Sequence, residues 1–347
     1  MRCKLKKRHS FSIIIVVFLV ITACSGREAP PTASVEESQP LQNAFQLEYY
    51  PHYETINLIT GKGYELRNPN SNKLIITLDG EPSWEAKIGK EDKKIAGWRL
   101  VDNLLFLYTV HGYNIFVPEI FDWEEDEINF YWNFTEERER NTFDNVQNCY
   151  VEVIEEYISQ NNYQIIIIVG FSAGARHLPM VYSRLEALNI SALISIAGRG
   201  LATYEIYEIM LAKQQAGEAP YEDKENWVIL AAGIRLKALL ALYREEPRND
   251  SIDRFWGRDP LTYRWLNSIM DKRPFDYYKN IDIPVLFIHG ERDNSVAVES
   301  TIYVETNLPN KPFDFIYYPN MAHAPETKEE LNMIRNDIRN WLVGKGF

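Results

Sequence analysis

"IIIIVGFSAGARHL", residues 165–178, is the stretch from which the rest of the chain can be read. Its first five residues are apolar with no polar alternation, as in a strand covered on both faces. The residues after Gly174 carry helix-forming sequence. A strand that turns sharply into a helix pushes the residue at the turn out of the carboxyl end of its sheet, with little room for side chains on either flank. Gly170 and Gly174 supply that room. Ser172 then stands exposed on the elbow, and the backbone N–H of Ala173 points to where a developing oxyanion would sit.

A serine hydroxyl needs a base to become a nucleophile, and the base needs a carboxylate to orient it. The C-terminal half offers both. "PVLFIHGERDNSV", residues 284–296, reads as a strand running into a loop that puts Asp293 at the carboxyl edge of the sheet, where open α/β sheets bind ligands. Glu291, two positions earlier in that loop, is a rival for the same role. "YPNMAHAPE", residues 318–326, places His323 in a loop after the strand "FDFIYY". Other histidines are worse placed: His52 precedes the sheet, His177 lies in the helix after the elbow, and His289 is expected to pack beneath the Asp293 loop.

Strand-like runs alternate with helical patterns around these motifs. "INLIT" and "YELRN" flank "GKG" as a hairpin, and "KLIITL", "YNIFV", "SALISIA" and "PVLFIH" read as further strands. In "NVQNCYVEVIEEYI" the residues Val146, Cys149, Tyr150, Val153, Ile154, Tyr157 and Ile158 recur at helical spacing, so Cys149 is expected to be a buried structural thiol. Doubly apolar strands alternating with helices imply a mainly parallel sheet covered on both faces.

Through Gly170–Gly174, "HGERD" and "MAHAPE", in the chain order Ser, Asp, His, the sequence resembles the α/β-hydrolase superfamily over roughly residues 73–342. That resemblance implies Ser172 as nucleophile, His323 as general base and then acid, and Asp293 as the group that fixes the imidazole tautomer. It also implies a second oxyanion donor in the loop after "KLIITL". There the chain reads "DGEPSW", residues 79–84, where many family members have His-Gly. The Glu81 N–H is the expected donor, since Pro82 has none. No cofactor and no metal are implied, because the six histidines are scattered and the cysteines lack zinc-ligand spacing.

Composition bounds the partners. With 37 Lys and Arg against 49 Asp and Glu, the chain carries a net charge of −12 and shows no basic patch for nucleic acid. At 347 residues and 46% hydrophobic it can bury a large core. The N-terminus reads as an address. Arg2, Lys4, Lys6, Lys7 and Arg8 precede the apolar run "FSIIIVVFLVI", residues 11–21, which is too short for an ordinary membrane span. "ITAC", residues 21–24, resembles the bacterial lipobox, with an incidental cysteine in a simple secretory signal as the alternative. The expected layout is a signal peptide over 1–23, a lipidated Cys24 with a Pro-, Ser- and Glu-rich tether over 24–46, and a hydrolase domain over 47–347. Loss of the five basic residues would take the charge from −12 to −17.

Residues 201–281 are longer than one crossover helix requires, and are read as a helical cap inserted in the hydrolase domain. Trp227, Phe255, Trp256, Tyr263 and Trp265 are expected chiefly to form its own core, and Arg254 and Arg258 to be solvated. The expected protein is a serine hydrolase of the bacterial cell envelope, lipid-anchored to a membrane and facing outside the cytoplasm, acting on a small-molecule ester or related acyl bond. A peptidase on the same fold and an inactive surface-anchored binding protein are the alternatives.

Overall fold

The computed structural model describes residues 54–78, 100–119, 142–218 and 263–347, with isolated positions between 237 and 244. The signal and tether, Cys24, Glu81 and the central part of the expected cap, including Trp227, Arg254, Phe255, Trp256 and Arg258, lie outside the described residues.

The described strands are β1 (Glu54–Asn57), β2 (Lys62–Leu66), β3 (Lys73–Leu78), β4 (Asn114–Glu119), β5 (Ile165–Phe171), β6 (Ala192–Ile196), β7 (Val285–Gly290) and β8 (Phe313–Tyr318). They form one eight-stranded sheet in the order β1-β2-β4-β3-β5-β6-β7-β8. The β1 and β2 pairings are antiparallel, and every pairing from β4 to β8 is parallel. Helices α1 (Leu100–His111), α2 (Phe143–Ser159), α3 (Ala173–Leu185), α4 (Thr203–Ala216), α5 (Tyr263–Met270), α6 (Phe275–Tyr278), α7 (Glu299–Asn307) and α8 (Lys328–Lys345), with a short 3-10 turn at Glu186–Leu188, are described around the sheet.

The isoleucine run of β5 explains the layering. Successive side chains of a strand point to opposite faces. Ile166 and Ile168 join Leu74, Ile76, Leu193 and Phe287 beneath residues of α2 and α3, including Ile154, Tyr157, Leu178 and Leu185. Ile167 and Val169 join Ile75, Ile115, Ile194 and Ile288 under Leu104 and Leu107 of α1 and Ile334, Ile338 and Leu342 of α8. All four β5 residues are at most 2% exposed, so each contributes about 1.5–3 kcal/mol of burial and no alternation with polar residues is possible. With β3 and β6 on either side, the carboxyl end of β5 lies in the middle of the parallel strands.

Two expectations are corrected here. The hairpin turn falls two residues earlier than "GKG", at Leu58–Gly61, with Asn57 opposite Lys62. The Glu156 carboxylate of α2 accepts the N–H groups of Ile59 and Thr60 at 2.8 Å each and the Thr60 hydroxyl at 2.7 Å, which selects that turn from a distance in sequence. Cys149 sits at the edge of the buried face of α2 and is only half-buried, Gln147 and Val151 being covered instead. Partial burial and nearby Glu152 push its thiol pKa up, so it is a poor nucleophile.

Candidate active site

Ser172 follows the last residue of β5 and is the N-cap of α3, with φ 52° and ψ −112°. A serine in this region is strained, and its surroundings enforce the strain. Its N–H is donated to the Ile196 carbonyl at 3.0 Å, while its own carbonyl accepts from Arg176 at 3.1 Å. Gly170 explains the tightness of the elbow: a Cβ there would lie 2.7 Å from Cα of Ala175 and 2.8 Å from its nitrogen. Gly174 is buried in the first turn of α3. Ala173 opens the helix, where backbone N–H groups lack intrahelical acceptors and the dipole favours negative charge.

The Asp293 and His323 loops leave the ends of β7 and β8 and are stitched together. Glu291 N–H is donated to the Tyr318 carbonyl at 3.0 Å and Arg292 N–H to that of Met321 at 3.1 Å. Gly290 makes this possible, since a side chain there would collide with the Met321 and Ala322 carbonyls. His323 is carried over the elbow. Its Nε2 lies 2.9 Å from Ser172 Oγ and its Nδ1 2.8 Å from Asp293 Oδ2. The ring also meets Phe171, with centroids 5.2 Å apart.

Asp293 is 3% exposed. Burial alone would raise its pKa, but the charge and hydrogen bonds of His323 and His289 outweigh burial and hold the carboxyl well below the usual carboxylate range. Its Oδ1 accepts the N–H groups of Ser295 and Val296 at 2.7 Å each. Glu291, the rival, is exposed and points its backbone rather than a buried carboxylate into this network. His177 is buried in α3 and stacked on Phe143 with centroids 4.3 Å apart. Burial, with Arg176 and Arg199 nearby, pushes its pKa well down, so it is held neutral away from the elbow.

His289 lies beneath the loop, as its position in the sequence suggests, but it also touches Asp293, with Nε2 3.2 Å from Oδ2. The signal for this contact is the i, i+4 spacing within "HGERD", which straddles a strand end and has no periodicity to reveal it. The described ends of the 201–281 insertion are tied to one another. Glu205 accepts the Ala202 N–H at 2.7 Å and pairs with Arg273, and the Phe275 N–H reaches the Gly200 carbonyl at 2.9 Å. Ile206 and Met210 of α4 pack on Val296 and Ala297, just beyond Asp293.

Comparison with known proteins bears on the fold and the family. Among solved structures, the chain is similar to Est1E from Butyrivibrio proteoclasticus, with TM-score 0.55 and 14% identity over 84% of this chain and 98% of that one. It is also similar to proline iminopeptidase from Mycobacterium smegmatis, with TM-score 0.53 and 13% identity over 85% and 98% of the two chains. These likenesses show the α/β-hydrolase fold. An 88-residue stretch, 25% of this chain, is 32% identical to the uncharacterized peptidase YtmA of Bacillus subtilis and spans 32% of that protein's length. The serine hydrolase (FSH1) family matches residues 109–334, a span that takes in the elbow, Asp293 and His323. That match covers well over half of the sequence: the chain belongs to the serine hydrolase (FSH1) family.

Proposed function

We propose that this serine hydrolase cleaves an ester or related acyl bond through an acyl-enzyme, with Ser172, His323 and Asp293 as its catalytic triad. The observation that carries the reading is the unbroken relay from Ser172 Oγ to His323 Nε2 at 2.9 Å and from His323 Nδ1 to Asp293 Oδ2 at 2.8 Å. His323 takes the hydroxyl proton as Oγ bonds to the substrate carbonyl carbon. The carbonyl oxygen becomes an oxyanion held by the N–H of Ala173 and, on the sequence reading, of Glu81. Collapse breaks the bond to the leaving group, which receives the proton from His323. Water then attacks the acyl-enzyme, giving its proton to His323, and the acid leaves as that proton returns to Ser172. Asp293, ionised and fully hydrogen-bonded, fixes the Nδ1–H tautomer throughout.

A peptidase is the second reading, favoured by the 32% identical stretch shared with the Bacillus subtilis peptidase. A panel of acyl esters of increasing chain length, aromatic acyl esters and aminoacyl amides separates the two by kcat/KM. Ester cleavage that exceeds amide cleavage by orders of magnitude supports the first reading, and the opposite ranking supports the second. The insertion over 201–281 is proposed to cover the site and select the acyl group, since its first helix packs on the loop beyond Asp293. The "ITAC" lipobox supports export and attachment to a membrane through Cys24.

A further inference from the structure

The carboxylate that orients His323 is itself gripped by a second imidazole. His289 is fully buried at the end of β7, with Nε2 3.0 Å from the Val296 carbonyl oxygen and 3.2 Å from Asp293 Oδ2. Both neighbours are acceptors, so this nitrogen carries a proton. Nδ1 lies 2.8 Å from Thr301 Oγ1, and that hydroxyl is 3.4 Å from the Gly198 carbonyl. In the neutral ring Nδ1 accepts, so the Thr301 hydroxyl turns to donate to it at the shorter distance. The alternative, a doubly protonated ring, would turn the same hydroxyl to Gly198.

Asp293 is thereby held at both oxygens, Oδ1 by two backbone N–H groups and Oδ2 by two imidazoles. The terminal torsion of an aspartate is broad, so bonds to Oδ1 alone leave Oδ2 some freedom to swing out of line with His323. The partner that limits this swing is anchored near the carboxyl end of β7, a strand paired on both sides. Thr301 lies in α7, and Ser300 beside it accepts the N–H groups of Gly200 and Leu201 at 2.9 and 3.0 Å.

We propose that His289, oriented by Thr301, is a positioning residue that holds Asp293 Oδ2 where it receives the Nδ1–H of His323. This rests on the triad reading. The test measures kcat, KM and the rate of fluorophosphonate labelling of Ser172 in the full chain. His289→Ala is expected to lower kcat and the labelling rate about 10- to 100-fold, as for loss of a hydrogen bond to a charged group, with KM changed less than about threefold. His289→Gln can present an amide N–H near the place of Nε2 and should recover most of the loss, whereas the shorter His289→Asn should not. Because His289 acts through Asp293, adding His289→Ala to Asp293→Asn should cost less than about threefold more. A merely structural histidine would instead give equal Gln and Asn variants and a full, multiplicative loss in the double variant, and either result overturns the proposal.

If His289→Ala does not fold, Thr301→Val keeps the shape and removes the hydroxyl. The expected result is a kcat loss of about fivefold that Thr301→Ser restores, and a Val variant with the parent's kcat overturns the proposal. Labelling that persists in Ser172→Ala would sink the triad reading itself. Labelling that depends on Ser172 but ignores His289 and Thr301 would overturn this inference alone.

Discussion

Replacing Gly170 by alanine puts one methyl group into the tightest part of the elbow. The added Cβ would lie 2.7 Å from Cα of Ala175, 2.8 Å from its nitrogen and 2.9 Å from the carbonyl carbon of Gly174, all backbone atoms of α3. Relief requires the strand or the helix to retreat by several tenths of an ångström. Neither is free to do so. Gly170 is paired with Leu78 on one side and Ser195 on the other, and α3 is pinned by Leu178, Val181 and Leu185, each with no exposed surface. Overpacking of a core costs about 1–3 kcal/mol, and fixed backbone on both sides points to the upper end, about 3 kcal/mol. At a denaturant slope of about 3 kcal/mol per molar, the urea midpoint should fall by about 1 M. A retreat of α3 also re-aims the Ala173 N–H away from the oxyanion that forms beside Ser172 Oγ, so labelling by a fluorophosphonate should slow by about tenfold or more even in folded protein. Gly170→Ala with the parent's urea midpoint and labelling rate would refute the reasoning that close approach of strand and helix requires this glycine.

Asp293→Asn should reduce kcat by about four orders of magnitude, because the amide favours the wrong tautomer of His323, while Glu291→Gln at an exposed position should stay within about threefold of the parent; the reverse ranking in steady-state kinetics would exchange their roles. Asp293 also predicts an acid dependence. Its folded pKa lies below its unfolded value of about 3.9, so between the two the unfolded chain binds the extra proton and stability rises with pH. That contribution is complete above about pH 5 and is lost as pH falls below about 4 towards the folded value, so urea midpoints of the parent should drop more steeply over that acid range than those of Asp293→Asn; parallel curves would contradict it. Cys24→Ser should release the protein from the membrane fraction or leave unprocessed precursor, and a cleaved variant that still fractionates with membranes would rule out a lipid on that thiol.

What could be read in the sequence was whatever a short window contains. The isoleucines of β5 announce a strand covered twice, and the glycines around Ser172 announce a sharp turn into a helix. Strand ends put Asp293 and His323 in loops and the family resemblance implied their roles; the structure brings both side chains into one hydrogen-bonded line with Ser172. Tertiary partners were not legible. The hairpin turn moved because Glu156, almost a hundred residues away, accepts its N–H groups, and Gly290 matters because of carbonyls at Met321 and Ala322. Helical spacing counted Cys149 among the buried residues but could not say that the edge of the apolar face of α2 passes through it. The contact of His289 with Asp293 arises from the bend after β7, which no periodic pattern records.

The most direct test of the account is the mass of the protein and of its peptides after reaction with a slowly hydrolysed activated ester. The account predicts an increase of one acyl group, located on the peptide containing Ser172, that disappears in folded Ser172→Ala and fails to accumulate when His323 is replaced by alanine. An acyl group on a different residue, or undiminished ester turnover by Ser172→Ala, would contradict it.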